Sequence, residues 1–306
     1  GVGGGREPGA TCNEGSTSSR PVVRLPGFPL PPLGAAFTPG SPLWRRGLPA
    51  VILAPLVLWV AARDVVPAYL IVVGLLAAVA SGELYRLLIR AGYQPFWLLG
   101  LLLSVGLAIL PATAPTLAAH VQAAAVFGAL AWAAFWHRRG RGLLDWALTL
   151  APALYVGGLL GYFPLLRLRP DGGFWVQAVL GSTWAADIAA YGVGRRWGRT
   201  KLAPSLSPGK SVEGALAGAG AAVLLAALLA LVFPAGGRSL PVLLGLGLLV
   251  AGAGLVGDLV ESFVKRQLGA KDSSGLLLGH GGLLDRLDSL LGAGVVAYFY
   301  LVAVGG

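Results

Sequence analysis

The chain has 306 residues, 56% of them hydrophobic and only 12% charged, with repeated apolar runs long enough to cross a bilayer, which excludes a water-soluble globular protein. Its 23 Lys and Arg against 13 Asp and Glu give a net charge of +10. In a soluble protein that balance would suggest nucleic acid, but here the bases stand in short loops between apolar runs, where they set topology and meet anionic lipid or phosphate, so no nucleic-acid partner is expected.

Residues 1–42 hold nine Gly and eight Pro, above the roughly 25–30% that marks low-complexity sequence. Residues 1–44 therefore read as a disordered tail, and residues 45–306 as one transmembrane domain. Cys12 is the sole cysteine, so no intrachain disulfide forms. Arg45 and Arg46 precede the apolar run Gly47–Ala62. Its Val-Ala-Ala end imitates a signal-peptide cleavage site, but further spans follow, and it is read as the first of nine. The others fall near Val66–Leu88, Pro95–Ile109, Thr113–Trp136, Leu144–Leu166, Gly173–Val193, Glu213–Phe233, Leu240–Leu259 and Ser289–Val304. The expected fold class is all-α, a polytopic membrane protein of about nine transmembrane helices. Threading these spans puts 19 bases on one side and four on the other (Arg63, Arg167, Arg169 and Arg238). The positive-inside rule then places the N-terminus and the charged stretch 257–288 in the cytoplasm.

Along this layout, Glu83 lies near the cytoplasmic end of the second span, as an exposed group or part of a site. Asp187 lies inside a span, with Tyr191, Gly194 and Gly198 on the same helical face, a face expected to look inward. An acid inside a span suggests function, against a purely structural hydrogen bond, and Gly194-x-x-x-Gly198 equally suits close helix packing. The loop from Lys201 to Gly214 opens the next helix. Gly209-Lys210-Ser211 imitates the end of a P-loop, but Pro204 stands where the first Gly is needed and no strand precedes it, so that reading fails. What survives is Ser205, Ser207, Lys210 and Ser211 before a helix N-terminus, where free N–H groups favour an anion.

The stretch from Gly257 to Ser289 concentrates Asp258, Glu261, Asp272, Asp285 and Asp288 with Lys265, Arg266, Lys271, Arg286 and His280. Charges in lipid cost roughly 2.5–3.5 kcal/mol each at a helix centre, so this cluster belongs at a water-facing edge and marks a site. Asp285 and Asp288 share a helical side at i, i+3, and Asp258 ends the preceding span on the same membrane face. Three carboxylates facing one volume repel one another unless a cation joins them, and Mg²⁺ favours few carboxylates together with substrate phosphates. Glu261 and Lys265 stand at i, i+4 and are placed to pair. On these residues alone, binding of a transported ion stays open.

The run Ser262-Phe-Val-Lys265-Arg266, then Lys271-Asp272, then His280-Gly-Gly-Leu-Leu-Asp285-Arg286-Leu-Asp288 resembles the signature of the phosphatidate cytidylyltransferase (CDP-diglyceride synthase) family. The resemblance extends to Asp187-x-x-Ala190-Tyr191-x-x-Gly194 and to Ser207-Pro208-x-Lys210-Ser211-x-Glu213-Gly214, and covers roughly residues 45–306. Leu278 stands where the family usually has Pro or Gly, and Gly209 where it often has Lys. The resemblance implies transfer of a cytidylyl group from CTP to phosphatidate with Mg²⁺, by a homodimer of all-helical subunits in the inner (cytoplasmic) membrane. It implies Asp258, Asp285 and Asp288 as metal ligands. Lys265, Arg266, Lys271, Asp272, His280 and Arg286 would complete the catalytic set, with Asp187, Tyr191, Ser205, Ser207, Lys210, Ser211 and Glu213 around nucleotide and phosphate. A CTP-dependent polyprenol or lipid kinase and an ion-coupled transporter are the alternatives. The first would lack the whole Lys-Arg to Asp-Arg-x-Asp run, and the second would use midplane acids and often repeats.

Overall fold

The computed structural model describes Gly1 and residues 58–305 apart from 62–64, 137–141, 234–238 and 275–280. Eight of the nine expected spans fall on helices, and the first, Gly47–Ala62, lies outside the described residues except for its helical end at 58–61. In order these are α1 (Val66–Arg90), α2 (Trp97–Thr113) and α3 (Pro115–Trp136), then α4 (Gly142–Pro152) running through a π-helical turn (Ala153–Gly158) into α5 (Tyr162–Arg167). Next come α6 (Gly172–Trp197), α7 (Val212–Val232), α8 (Leu240–Gln267) and α9 (Leu284–Ala303).

Among the described residues, six helical segments are long and apolar enough to cross a membrane: α1, α3, the α4–α5 unit, α7, α8 and α9. α2, at 17 residues, is shorter. α6, at 26 residues, has the length but interrupts its apolar run with Asp187 and ends on Arg195 and Arg196. The protein is an all-α, multi-pass membrane protein. Pro152 explains the break in the fifth expected span: lacking an N–H and crowding the preceding turn, it ends the α-helical ladder, which resumes after the wider π turn.

Two packing units matter for the site. Helices α6, α7, α8 and α9 pack sequentially against one another. Their Ala- and Gly-rich faces permit close contact, as expected where no hydrophobic drive exists between helices in lipid. At Gly257 the approach is closest: a Cβ there would strike the carbonyl oxygen of Asp288 on α9. Helices α1 to α5 form the second unit, where the Asp145 carboxylate accepts from the Gln94 amide at 3.1 Å and the Thr149 hydroxyl from the Phe96 amide at 2.8 Å. These side chains satisfy backbone donors where the chain enters α2.

Two departures from the sequence expectation shape the site. The segment after α6 is a two-stranded antiparallel ribbon, β1 (Lys201–Ala203) with β2 (Ser207–Ser211), where only a loop was expected. Helix α8 runs on to Gln267, past the expected end at Leu259, and carries Glu261, Lys265 and Arg266 on its last turns.

Candidate active site

Ser211 ends β2 in an extended conformation and caps α7, its hydroxyl accepting from the Gly214 amide at 3.2 Å. Glu213, in the first turn, accepts from the Thr200 amide at 3.0 Å, tying the foot of the ribbon to the helix. The ribbon thus holds Lys210 in a fixed direction. Its ammonium reaches α8, 2.7 Å from Asp258 Oδ2, and donates to the Leu255 carbonyl at 3.3 Å. Ser205 and Pro204 form the exposed turn of the ribbon, and Ser207 is half-buried in it.

Two turns further along the same side of α8, Lys265 is clamped between two acids. Its ammonium lies 2.6 Å from Asp285 Oδ1 and 2.7 Å from Glu261 Oε2, the i, i+4 pair expected from sequence. Glu261 is buried, and although ion-paired, neither of its oxygens has hydrogen-bond geometry to a partner. Asp285 takes more: Oδ2 accepts from the Ser273 amide at 3.0 Å, the Ser273 hydroxyl at 3.0 Å and the Gly282 amide at 2.7 Å. Both its oxygens are committed within the protein. Gly281, at φ +79, adopts the left-handed conformation that lets the Gly282 amide turn back onto this carboxylate.

The residue that sequence reasoning undervalued is Glu83. It is 1% exposed, so of the two readings open for it, an exposed group or part of a site, the first is excluded. Its carboxylate, projecting from α1, accepts from the Ser274 hydroxyl at 2.6 Å and the Leu283 amide at 3.0 Å on one oxygen. The other accepts from the Leu284 amide at 2.9 Å and the Ser273 hydroxyl at 3.0 Å. An acid from the far end of the sequence therefore caps α9, satisfying N–H groups that have no partner within the helix. Gly282 fits beneath it, since a Cβ would strike both the Ser273 hydroxyl and Glu83.

Asp187, Asp258 and Asp288 make up a separate group. The charges of Asp187 and Asp258 bear directly on Asp288. The Ser289 hydroxyl lies 3.4 Å from Asp187 Oδ1, and the Ser289 amide donates to Asp288 Oδ1 at 2.7 Å. Among the described residues neither Asp187 nor Asp288 has a Lys or Arg at ion-pair distance. The face of Asp187, Tyr191, Gly194 and Gly198 does not turn inward as a unit. Tyr191 is 67% exposed, its hydroxyl accepting from Arg195 at 2.8 Å, while Gly194 and Gly198 pack against Ser211 in the role of spacers.

The described residues contain no cluster of three acids closed around a single point. As a donor set, Asp258 and Asp288 fit a hard divalent cation: they offer carboxylate oxygens, with the negative charge of Asp187 beside them. Asp285, with its oxygens already shared among an ammonium, a hydroxyl and two amides, does not fit that use. Arg266 is exposed on the last turn of α8, Lys271 and Asp272 are exposed beyond its end, Arg286 projects from the first turn of α9, and His280 lies outside the described residues.

A model of the cytidylyltransferase family matches residues 44–304. A phosphatidate cytidylyltransferase of Brucella suis is 47% identical over 133 residues, covering 43% of this chain and 48% of the relative. Proteins of the same name from Pseudomonas aeruginosa and Bacillus subtilis are 41% identical over 174 residues and 40% identical over 162, covering 57% and 50% of this chain and 60% and 57% of the relatives. The chain spans about half the length of the curated relatives it matches.

Proposed function

We propose that this chain, which belongs to the cytidylyltransferase family, transfers a cytidylyl group from CTP to phosphatidate, giving CDP-diacylglycerol and pyrophosphate. The observation that carries the reading is the junction of Lys210 from the ribbon with Asp258 on α8, beside Asp288 on α9. It joins a phosphate-seeking ammonium to a carboxylate pair of the kind that holds Mg²⁺. A phosphate oxygen of phosphatidate attacks the α-phosphorus of CTP, a new P–O bond forms, and the bond to the bridging oxygen breaks, releasing pyrophosphate. Two polyanions must meet for this, so positive charge around the reacting phosphates sets the rate.

Asp258 and Asp288 would hold Mg²⁺, which when bound supplies neutralisation of phosphate charge. Lys210, now paired with Asp258, is poised to exchange that partner for a phosphate. Arg266, Lys271 and Arg286 stand at the exposed rim, where they attract the nucleotide. Lys265, Glu261, Asp285 and Glu83 keep the ends of α8 and α9 in register, which fixes the direction of Asp288. Detergent-solubilised protein given radiolabelled CTP and phosphatidate tests the proposal: a labelled lipid supports it, and label that stays in water-soluble nucleotide, or that needs a polyprenol acceptor, overturns it. The full match of the family region argues against the kinase and transporter readings. A homodimer is part of the proposal and is read by sedimentation of the solubilised protein.

The bilayer setting follows from the helices, and we place the site on the cytoplasmic face of the inner membrane, from the 19 to 4 distribution of bases. A reporter fused after Ser205, in the ribbon turn, is expected to read cytoplasmic, and one after Gly237 external. The opposite pattern would separate the site from its soluble nucleotide.

A further inference from the structure

At the end of α6 and α7 remote from the carboxylates lies a cavity of about 780 Å³. From Gly172 and Gly181, the first and last α6 residues that line it, to Asp187 the helix rises roughly 22 Å and 9 Å at about 1.5 Å per residue, so the cavity occupies the first half of α6 and the carboxylate lies beyond it. One wall of the cavity is apolar: Phe174 from α6, Leu225 and Leu229 from α7, and Phe233 just beyond. Its polar groups are Arg167, Arg169, Asp171 and Gln177.

The arginines are held by the turn between α5 and α6. Asp171 takes φ +54, and Gly172 lies so close to the Arg167 carbonyl that a Cβ could not fit. Arg167 is 8% exposed. The Nε of Arg169 is buried and has no hydrogen-bond partner among the described residues, while its guanidinium lies 5.9 Å from the Tyr298 ring. A buried guanidinium donor without an acceptor is costly, and an acceptor from a ligand would remove the cost.

We propose that this cavity binds one anionic phospholipid, its phosphate meeting Arg169 and Arg167 and an acyl chain lying along the apolar wall. Three features select that ligand. Among the described residues that line the cavity two guanidiniums stand against one acid, and the planar fork suits phosphate oxygens. The trough beside them is apolar enough for a chain and of little use to a free anion. Its position at the ends of membrane-crossing helices is where lipid head groups lie, and basic pockets between such helices hold them. The head-group position is distinct in place from the proposed substrate site, because the arginines stand just before α6, roughly 22 Å along the helix from Asp187.

The test uses the full chain purified in mild detergent, with phosphatidylglycerol, phosphatidylcholine or inorganic phosphate as the probe. Phosphatidylglycerol is chosen because it lacks the terminal phosphate that the proposed reaction consumes. Native mass spectrometry and thermal melting read the binding. We expect phosphatidylglycerol to bind about tenfold more tightly than phosphatidylcholine and to raise the melting temperature, since a ligand stabilises the state it binds. Arg169→Gln should reduce that preference to about threefold or less, and Arg169→Lys should retain part of it, as a point charge without the fork. Equal binding of phosphatidylcholine would overturn the proposal, as would an unchanged preference in Arg169→Gln. An equal melting rise with inorganic phosphate alone would replace it with a free-anion site. Should Arg169→Gln fail to fold, the comparison of the two lipids on the parent chain still decides.

Discussion

Asp288→Asn is expected to lower turnover of CTP and phosphatidate by about 10²-fold or more while leaving the fold intact. The substitution keeps the shape of the side chain but removes a charge the cation needs, and metal stabilisation of the transition state is worth several kcal/mol. Because Asp288 has no ion pair among the described residues and feels the charges of Asp258 and Asp187, neutralising it relieves repulsion. The metal-free protein should melt no lower than the parent. The rise in melting temperature that Mg²⁺ gives the parent should shrink, since linkage scales with affinity. Asp258→Asn should share the catalytic loss but also leave Lys210 without its ion pair, so its metal-free stability falls slightly.

Asp285→Asn provides the contrast. Its carboxylate holds Lys265, Ser273 and Gly282, and an amide in its place turns one accepting oxygen into a donor facing other donors. Stability should drop at every Mg²⁺ concentration, with the Mg²⁺-induced rise still present. Turnover, melting temperature and its Mg²⁺ dependence on the three mutants separate the roles. Near-normal turnover in Asp288→Asn would sink the metal assignment, and a Mg²⁺ response lost only in Asp285→Asn would move it to that residue.

The second large effect is expected at Glu83. In Glu83→Gln one of the two accepting oxygens becomes an NH₂ group, and whichever way the amide turns, either the Leu283 or the Leu284 N–H loses its acceptor in a buried place. A buried donor left unsatisfied costs about 1–3 kcal/mol, so the melting temperature should fall by several degrees. The same change loosens the start of α9, which carries Asp285 and Asp288. Misplacing a reacting group by an ångström can cost about 10²-fold, so turnover per folded molecule should fall about tenfold or more. A Glu83→Gln protein that melts and turns over like the parent would show that the cap contributes neither stability nor position.

The positions of the spans were legible because each is a local property: an apolar run of sufficient length must bury its backbone polar groups in its own helix, whatever its neighbours do. The expected span at Leu240–Leu259 still ended too early, because Glu261, Lys265 and Arg266 look like the close of an apolar run. Lys265 continues the helix by finding acids on two sides, one of them from α9. The loop before α7 was legible as an anion-seeking helix start, and Ser211 is its cap, but the strand pairing of Lys201 with Ser211 depends on a turn that no periodicity announces.

The cluster of acids and bases around Gly257–Ser289 was evident from composition alone, since so many charges in an apolar chain must gather at a water-facing edge. Local composition and the spacing of apolar runs thus suffice for the class, the span order and the residues among which a site must lie. Only the tertiary structure divides the work among them. Asp285 and Asp288 stand three residues apart on one helix side, and nothing local tells them apart. One meets Lys265 and the amides of Ser273 and Gly282, while the other faces Asp258 and Asp187. Glu83 looked like one more acid at a helix end until α1 packed it beneath the first turn of α9. The role of a carboxylate follows from the donors that replace its water, and those donors come from parts of the chain that only folding brings together.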